Sequence, residues 1–181
     1  DKLTIYGGAK IGDLVGQNAK LEFTDIMVRG GGYAKISFDA SGSLQTAFQY
    51  IAAPPIDMND FGFDSKNAKG KIDVSANLEF PTLKDAPREA FKVTAKATLS
   101  DVTLPKVVEG LTLTGGPLAL DVKEGSFTVG GNGKLDGRDI ALTWHEFFDP
   151  AGQPYAAQVK AQIVADAELR HKFGVYLDDY F

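Results

Sequence analysis

The two histidines are the residues of this sequence best suited to catalysis or metal binding. His145 follows Trp144 near the end of an apolar run, and His171 lies between two basic residues. A zinc site takes three or four His, Cys or carboxylate ligands, and this chain has no Cys and only these two, widely separated His residues. We therefore predict no metal site, with His145 on a solvent-facing surface and His171 solvated on a short helix.

Two short stretches resemble ligand-binding loops only in part. Residues 133–135 lack the Ser or Thr of a phosphate-binding Walker loop, and Thr128 stands where its first glycine belongs, so a β-turn is the better interpretation. Residues 57–62 supply early oxygen ligands of a calcium loop but have Phe61 at the third position, so they too are interpreted as a turn. No G-x-S-x-G elbow occurs, which leaves a hydrolase as a distant third possibility. We predict no catalytic residue and no cofactor, and the chain is not expected to be an enzyme.

The composition is that of an ordinary globular protein. With 181 residues, 44% of them hydrophobic and 24% charged, the chain is long enough for one domain with its own core. We predict a single β-rich domain over residues 1–181, a piece of a much larger protein, because the chain opens with neither Met nor a signal segment. The net charge of -5 argues against nucleic acid as a partner. No run of about 18 apolar residues occurs, so a membrane anchor is expected outside these residues.

Strict alternation of apolar and polar residues is the dominant pattern. Residues 71–80 and 91–99 each place five apolar side chains on one side and polar ones on the other. This period of two is typical of a strand with one solvated face, and a shift of one residue would expose the whole apolar set. The pattern predicts further strands around 118–122, 127–129, 140–144 and 157–163, and shorter ones around 3–5, 21–23, 26–28 and 36–38.

Turn residues and two helical stretches complete the predicted fold. Residues 43–51 have apolar side chains at helical spacing, with Ser41 or Ser43 as N-cap, and residues 166–173 predict a second short helix between Asp166 and Gly174. Glycine-rich turns are predicted at 30–32, 115–117, 124–125, 130–133 and 136–137. The predicted fold is mostly β, with a long antiparallel, curved sheet of about nine strands, as a β-groove or open sandwich, and one or two short helices.

The order of these elements resembles the AsmA-like C-terminal region of YhdP-type envelope proteins. One part of the resemblance runs from Gly42-Ser43-Leu44 through Pro54-Pro55 to the strand that begins at Gly70-Lys71-Ile72. The second part follows that family's order of strand, turn and strand through residues 97–105, 115–122, 133–137 and 142–148. None of these motifs is catalytic, so the resemblance depends on their order and spacing.

The resemblance implies a repeating β-groove whose apolar inner wall carries phospholipid between the membranes of a Gram-negative envelope. It implies a periplasmic location, a tether to the inner membrane through parts of the protein outside this sequence, and a role in outer-membrane biogenesis. The partners would be phospholipid acyl chains and neighbouring repeats of the same chain. The candidate groove-lining residues are Ile72, Val74, Leu78, Phe80, Phe91, Val93, Leu99, Leu118, Leu120, Val122, Ile140, Leu142 and Trp144.

The residues alone leave a second interpretation open. The same apolar side chains would equally form the dry core of a closed sandwich, because alternation does not distinguish a face covered by protein from one covered by lipid. The chain would then be a structural or scaffolding domain in envelope assembly. The two interpretations differ in whether the apolar residues remain accessible to solvent.

Overall fold

A computed structural model describes residues 1–25, 27–28, 31–53, 63–83, 85–87 and 90–176 of the chain. These residues form one antiparallel sheet in which each strand pairs with its neighbours in sequence. The strands are β1 (Lys2–Ile11), β2 (Leu14–Thr24), β3 (Tyr33–Ser43), β4 (Lys69–Pro81), β5 (Lys92–Val108), β6 (Leu111–Lys123), β7 (Ser126–Leu135), β8 (Arg138–Phe147) and β9 (Ala157–Ile163). The helices are α1 (Leu44–Ile51) and α2 (Ala167–Lys172), with a 3-10 helix at Ser65–Asn67. The predicted class, a mostly β fold with an open, curved antiparallel sheet and two short helices, is confirmed.

The strand register divides the sheet into an apolar face and a polar face. One cross-strand row of the apolar face runs through Ala40, Val74, Ala97, Leu120, Val129 and Trp144. The adjacent row, one residue away on each strand, runs through Asp39, Ser75, Lys96, Asp121, Thr128 and His145 and belongs to the polar face. Successive side chains of a strand point to opposite faces, so the alternation of the sequence produces this division directly.

An irregularity in β5 and β6 keeps their apolar residues on one face. Leu99 and Val102 are both buried, although three residues of regular strand would put them on opposite faces. Between them Asp101 has a φ of 53°, and on the paired strand Gly115 and Gly116 have φ values of 107° and 111°. These positive φ values mark a bulge, which returns the following residues to the apolar face.

Helix α1 begins where the sequence predicts. The Ser43 hydroxyl accepts a hydrogen bond from the Thr46 backbone N–H at 3.2 Å, so Ser43 is the N-cap. Leu44 and Ala47, at helical spacing, are buried against the apolar face. The predicted stop at Pro54-Pro55 lies outside the described residues.

Helix α2 packs on the same face, at the same end of the sheet. The Asp166 carboxylate accepts the Leu169 backbone N–H at 2.9 Å, and the Leu169 side chain is fully buried. Arg138 at the start of β8 donates to Asp166 at 2.8 Å and to Glu168 at 3.2 Å, which ties the helix to the β7–β8 hairpin. Gly174, with a φ of 72°, follows the last turn.

The two helices and the β5–β6 hairpin enclose the packed core, which we call the closed end of the apolar face. Its buried residues form one contiguous cluster that reaches from α1 to α2. They are Leu44, Ala47, Ala68, Ile72, Ala97, Leu99, Val102, Leu104, Leu111, Leu113, Leu118, Leu135, Ile140 and Leu169. We call the remainder of the face, towards the β6–β7 turn, the open half.

Two of the glycine-rich stretches predicted as turns lie inside strands instead. Residues 115–117 belong to β6 and residues 130–133 to β7, as do residues 133–135, for which a β-turn was also predicted; the turns at 124–125 and 136–137 are confirmed. The reason is the close approach of β6 and β7, since a Cβ on Gly131 would lie 2.7 Å from the Pro117 carbonyl oxygen. These glycines allow strand contact rather than chain reversal.

The strand predicted around residues 26–28 is also wrong. Its described residues, Met27 and Val28, lie in the turn between β2 and β3, where the Val28 N–H donates to the Asp25 carbonyl at 3.0 Å. Asp25 already has a φ of 57°, so the chain leaves the extended conformation directly after β2.

The cap of α2 makes a pH-dependent contribution to stability. The Leu169 N–H, and then the Arg138 guanidinium, hold the pKa of the Asp166 carboxyl below its usual range. A depressed folded pKa stabilises the protein above the ordinary pKa of Asp, and this contribution is lost as the pH falls through the lower folded value. We expect the hydrogen-exchange protection factor of the Leu169 amide to fall on such acidification. Asp166→Asn keeps an acceptor oxygen without titrating, so a pH dependence that survives in this variant would contradict the assignment.

Candidate functional site

The predicted groove-lining residues all belong to the apolar face, but they differ in burial. Ile72, Leu99, Leu118 and Ile140 are buried in the cluster of the closed end. Val74, Leu120 and Leu142 are partly buried and pack against that cluster. These seven side chains therefore contact protein on at least one side, and four of them have almost no contact with solvent.

Six of the predicted residues lie in the open half, outside the packed cluster. Each is only partly buried, and they are Leu78, Phe80, Phe91, Val93, Val122 and Trp144. They are close neighbours, because Leu78 pairs directly with Val93, and Phe80 stacks on Phe91 with ring centroids 5.4 Å apart. The result is a continuous apolar surface that α1 and α2 leave uncovered.

The apolar surface continues to both edge strands. Leu3 and Ile5 on β1 are 45% and 46% exposed, and Val159 on β9 is 58% exposed. Leu3 pairs with Phe23, and Val159 pairs with Trp144, so these residues share the apolar face. Within the described residues, β1 and β9 each pair on one side only.

Aromatic rings are concentrated at the end of the open half. Besides Phe80 and Phe91, the ring of Phe127 lies 6.2 Å from that of Trp144 and 6.1 Å from that of Phe148, measured between centroids. Small residues such as Ala76 and Ala95 pair in the middle of the face.

Glu146 is a carboxylate on this apolar surface and was not among the residues predicted to line it. It follows Ile140, Leu142 and Trp144 at the same period of two, and its register partners are Phe127 and Ala157. The Trp144 indole N–H donates to its Oε2 atom at 3.0 Å. The alternation along β8 predicts that the Glu146 side chain points to the apolar face, but Trp144 is the last apolar residue of the pattern.

The polar face carries a shallow depression of about 640 Å³ that spans β2 to β6. Its lining includes Asp39, Asp73, Ser75, Lys96 and Asp121, so it is wet and charged and does not suit an apolar ligand. The Ser75 hydroxyl donates to Asp39 at 2.6 Å and the Asn18 amide donates at 2.9 Å, and these bonds lower the pKa of that carboxyl. The charges that line this depression are thus on the face opposite the apolar surface.

The two histidines lie in separate aromatic contacts. His145 is on the polar face, 3.3 Å from the Tyr155 hydroxyl, and its ring meets that of Phe147 edge-on at 4.7 Å. His171 on α2 stacks with Tyr176 at 5.0 Å. The described residues contain no group of three or more His, Asp or Glu side chains that could hold a metal ion. The possible calcium loop at residues 57–62 lies outside them.

In the part of the chain that the structure describes, no helix has both the length and the apolar character needed to cross a membrane. Comparison with protein-family models, curated proteins and solved structures finds no match to this chain.

Proposed function

We propose that this chain is a non-enzymatic module of an AsmA-like envelope protein, and that its apolar face shelters phospholipid acyl chains during transport between the inner and outer membranes. The observation that carries the proposal is the open half of the face, where six apolar side chains form one surface outside the packed core. Large contiguous apolar surfaces on folded proteins mark sites for lipid or protein partners.

The energetics of acyl-chain burial support this proposal. Each methylene removed from water contributes about 0.8 kcal/mol. The distance along β8 from Glu146 to the partly buried Leu142 is about 14 Å at 3.4 Å per residue, which accommodates several methylenes of an extended chain. An apolar ligand of this kind needs no nucleophile, base or metal.

The aromatic end of the open half fits contact with a membrane surface. Aromatic side chains combine an apolar ring with, in Trp, a polar N–H, and they are enriched where one side of a protein is apolar and the other is wet. Phe80, Phe91, Phe127, Trp144 and Phe148 lie at this end. We propose it as the end through which lipid enters.

The two edge strands support end-to-end joining with neighbouring repeats. β1 and β9 each present one unpaired side within the described residues, and such edges accept further strands. Joined repeats would extend the apolar face between the two membranes. In this proposal the protein is periplasmic and a segment outside these residues tethers it to the inner membrane.

The proposal is tested by native mass spectrometry and organic extraction of the chain purified from bacteria. We expect co-purifying phospholipid in the wild type and at least about a tenfold loss of it in Leu78→Asp, because a carboxylate in an apolar surface is poorly solvated. The variant should keep its far-ultraviolet circular dichroism, since Leu78 lies outside the packed cluster.

Asn77→Asp is the matched control, because Asn77 is the exposed neighbour of Leu78 on the polar face and gains the same charge. It should retain the lipid. A wild type without lipid, or a Leu78→Asp variant that unfolds, would instead favour a structural domain of envelope assembly with a packed inner face.

A further inference from the structure

Glu146 is an unusual residue for the surface on which it lies. Among the register-paired strand positions of the apolar face in the described chain, only Arg138 and Glu146 carry a charge. Arg138 lies at the closed end and is neutralised by Asp166 and Glu168 of α2. Among the described residues no cation lies within ion-pair distance of Glu146, so none of them matches its charge.

Aromatic residues occupy three of the positions next to Glu146. Phe127 lies directly across from it on β7, while Trp144 and Phe148 precede and follow it by two residues along the chain. At the fourth position, its partner on β9 is only an alanine, Ala157. The site is reachable, since Phe148 is 44% exposed and the other aromatic side chains are partly buried.

A carboxylate with aromatic side chains beside it can recognise an organic cation. Ammonium and quaternary ammonium groups are attracted to the faces of Trp and Phe within about 6 Å, and a carboxylate adds a charge-assisted interaction. Trp144 uses one hydrogen-bonding position of the carboxylate, which has several others. An anionic headgroup would instead meet an uncompensated negative charge.

We propose that Glu146, Phe127, Trp144 and Phe148 form a headgroup site that selects phospholipids with a cationic amine, such as ethanolamine or choline, over anionic phospholipids. This inference rests on the function proposed above, because it needs the acyl chains to lie on the apolar face. The site adjoins that face, so the amine binds at the aromatic end while the chains extend towards the closed end.

The test uses the single tryptophan, Trp144, as a fluorescent reporter inside the site. The chain is titrated with dihexanoyl phosphatidylethanolamine, phosphatidylcholine and phosphatidylglycerol, which share their acyl chains. We expect the wild type to bind the two amine lipids about tenfold more tightly than phosphatidylglycerol, from one charge-assisted contact and the cation–π contribution. Glu146→Gln should lose most of this preference and keep only the smaller cation–π part.

Two variants separate headgroup selection from a structural role of Glu146 and from a general effect of net charge. Glu146→Gln still offers an amide oxygen to the Trp144 N–H, so a purely structural role would leave the preference unchanged. Glu79→Gln makes the same change in net charge at an exposed position on the polar face of β4 and should keep the preference. If Glu146→Gln does not fold, Phe148→Leu serves as the second variant and should reduce the preference.

The outcomes distinguish this inference from the proposed function. Equal binding of all three lipids by the wild type, or an amine preference as large in Glu146→Gln as in the wild type, overturns the headgroup site but leaves acyl-chain binding intact. Failure of the wild type to bind any of the lipids overturns both.

Discussion

Replacement of Leu118 by aspartate is expected to leave the chain unfolded. Leu118 is 1% exposed, at the centre of the closed end, and its register neighbours Leu99 and Gly131 leave no route to water. An unpaired carboxylate in such a site costs several kcal/mol, and the lost apolar contacts add about 2–5 kcal/mol. The sum is comparable to the whole stability of a typical domain. Circular dichroism and thermal unfolding measure the result.

The informative comparison is with Leu78→Asp, the same substitution in the open half. If the apolar face has a packed end and an open end, the Leu118 variant loses its cooperative transition while the Leu78 variant keeps it. Leu118→Ala gives a graded version, with an expected loss of about 2–5 kcal/mol in urea unfolding. A Leu118→Asp variant that unfolds at the wild-type temperature would show that the closed end is not the stabilising core.

Alternation in the sequence predicted the two faces of the sheet because it is a local property. Successive side chains of a strand point to alternate faces, so the two faces of β4 could be predicted without tertiary information. The caps of α1 and α2 were predictable for the same reason, since Ser43 and Asp166 bond to the amides three residues further along.

Burial along the apolar face could not be predicted in this way. Ile72 and Leu78 are both aliphatic and lie on the same face of β4, yet only Ile72 is buried in the core. The difference arises from where α1 returns to pack on the sheet, which depends on contacts between distant segments. The open half is therefore a finding of the three-dimensional structure.

Two other features could not be predicted from the sequence because they depart from the usual patterns of apolar alternation and of glycine in turns. Glu146 is polar at an apolar position, so a search for apolar alternation ends one step before the carboxylate that distinguishes this surface. The glycines of β6 and β7 are turn residues by type, and only the pairing of two neighbouring strands reveals that they permit close contact.

The close contact of β6 and β7 makes Gly131→Ala the second substitution with a large expected effect. Gly131 has a φ of 150°, and a Cβ there would lie 2.7 Å from the Pro117 carbonyl oxygen and 3.1 Å from the Leu118 side chain. The oxygen belongs to the backbone of the paired strand, so the sheet itself must shift. We expect a loss of about 3 kcal/mol in unfolding free energy, from overpacking together with the unfavourable φ.

Gly125→Ala is the matched control, because Gly125 also has a positive φ, of 81°, but a Cβ there would meet no atom within 4 Å. It should lose only the conformational part, about 1–2 kcal/mol. Urea unfolding of the two variants separates steric contact from backbone strain. Equal losses would mean that β6 and β7 are not held as closely as their glycines indicate. A larger loss in Gly131→Ala would show that the stability of the closed end depends on the close pairing of β6 with β7. Strand β7 also contains Phe127, which lies in the open half.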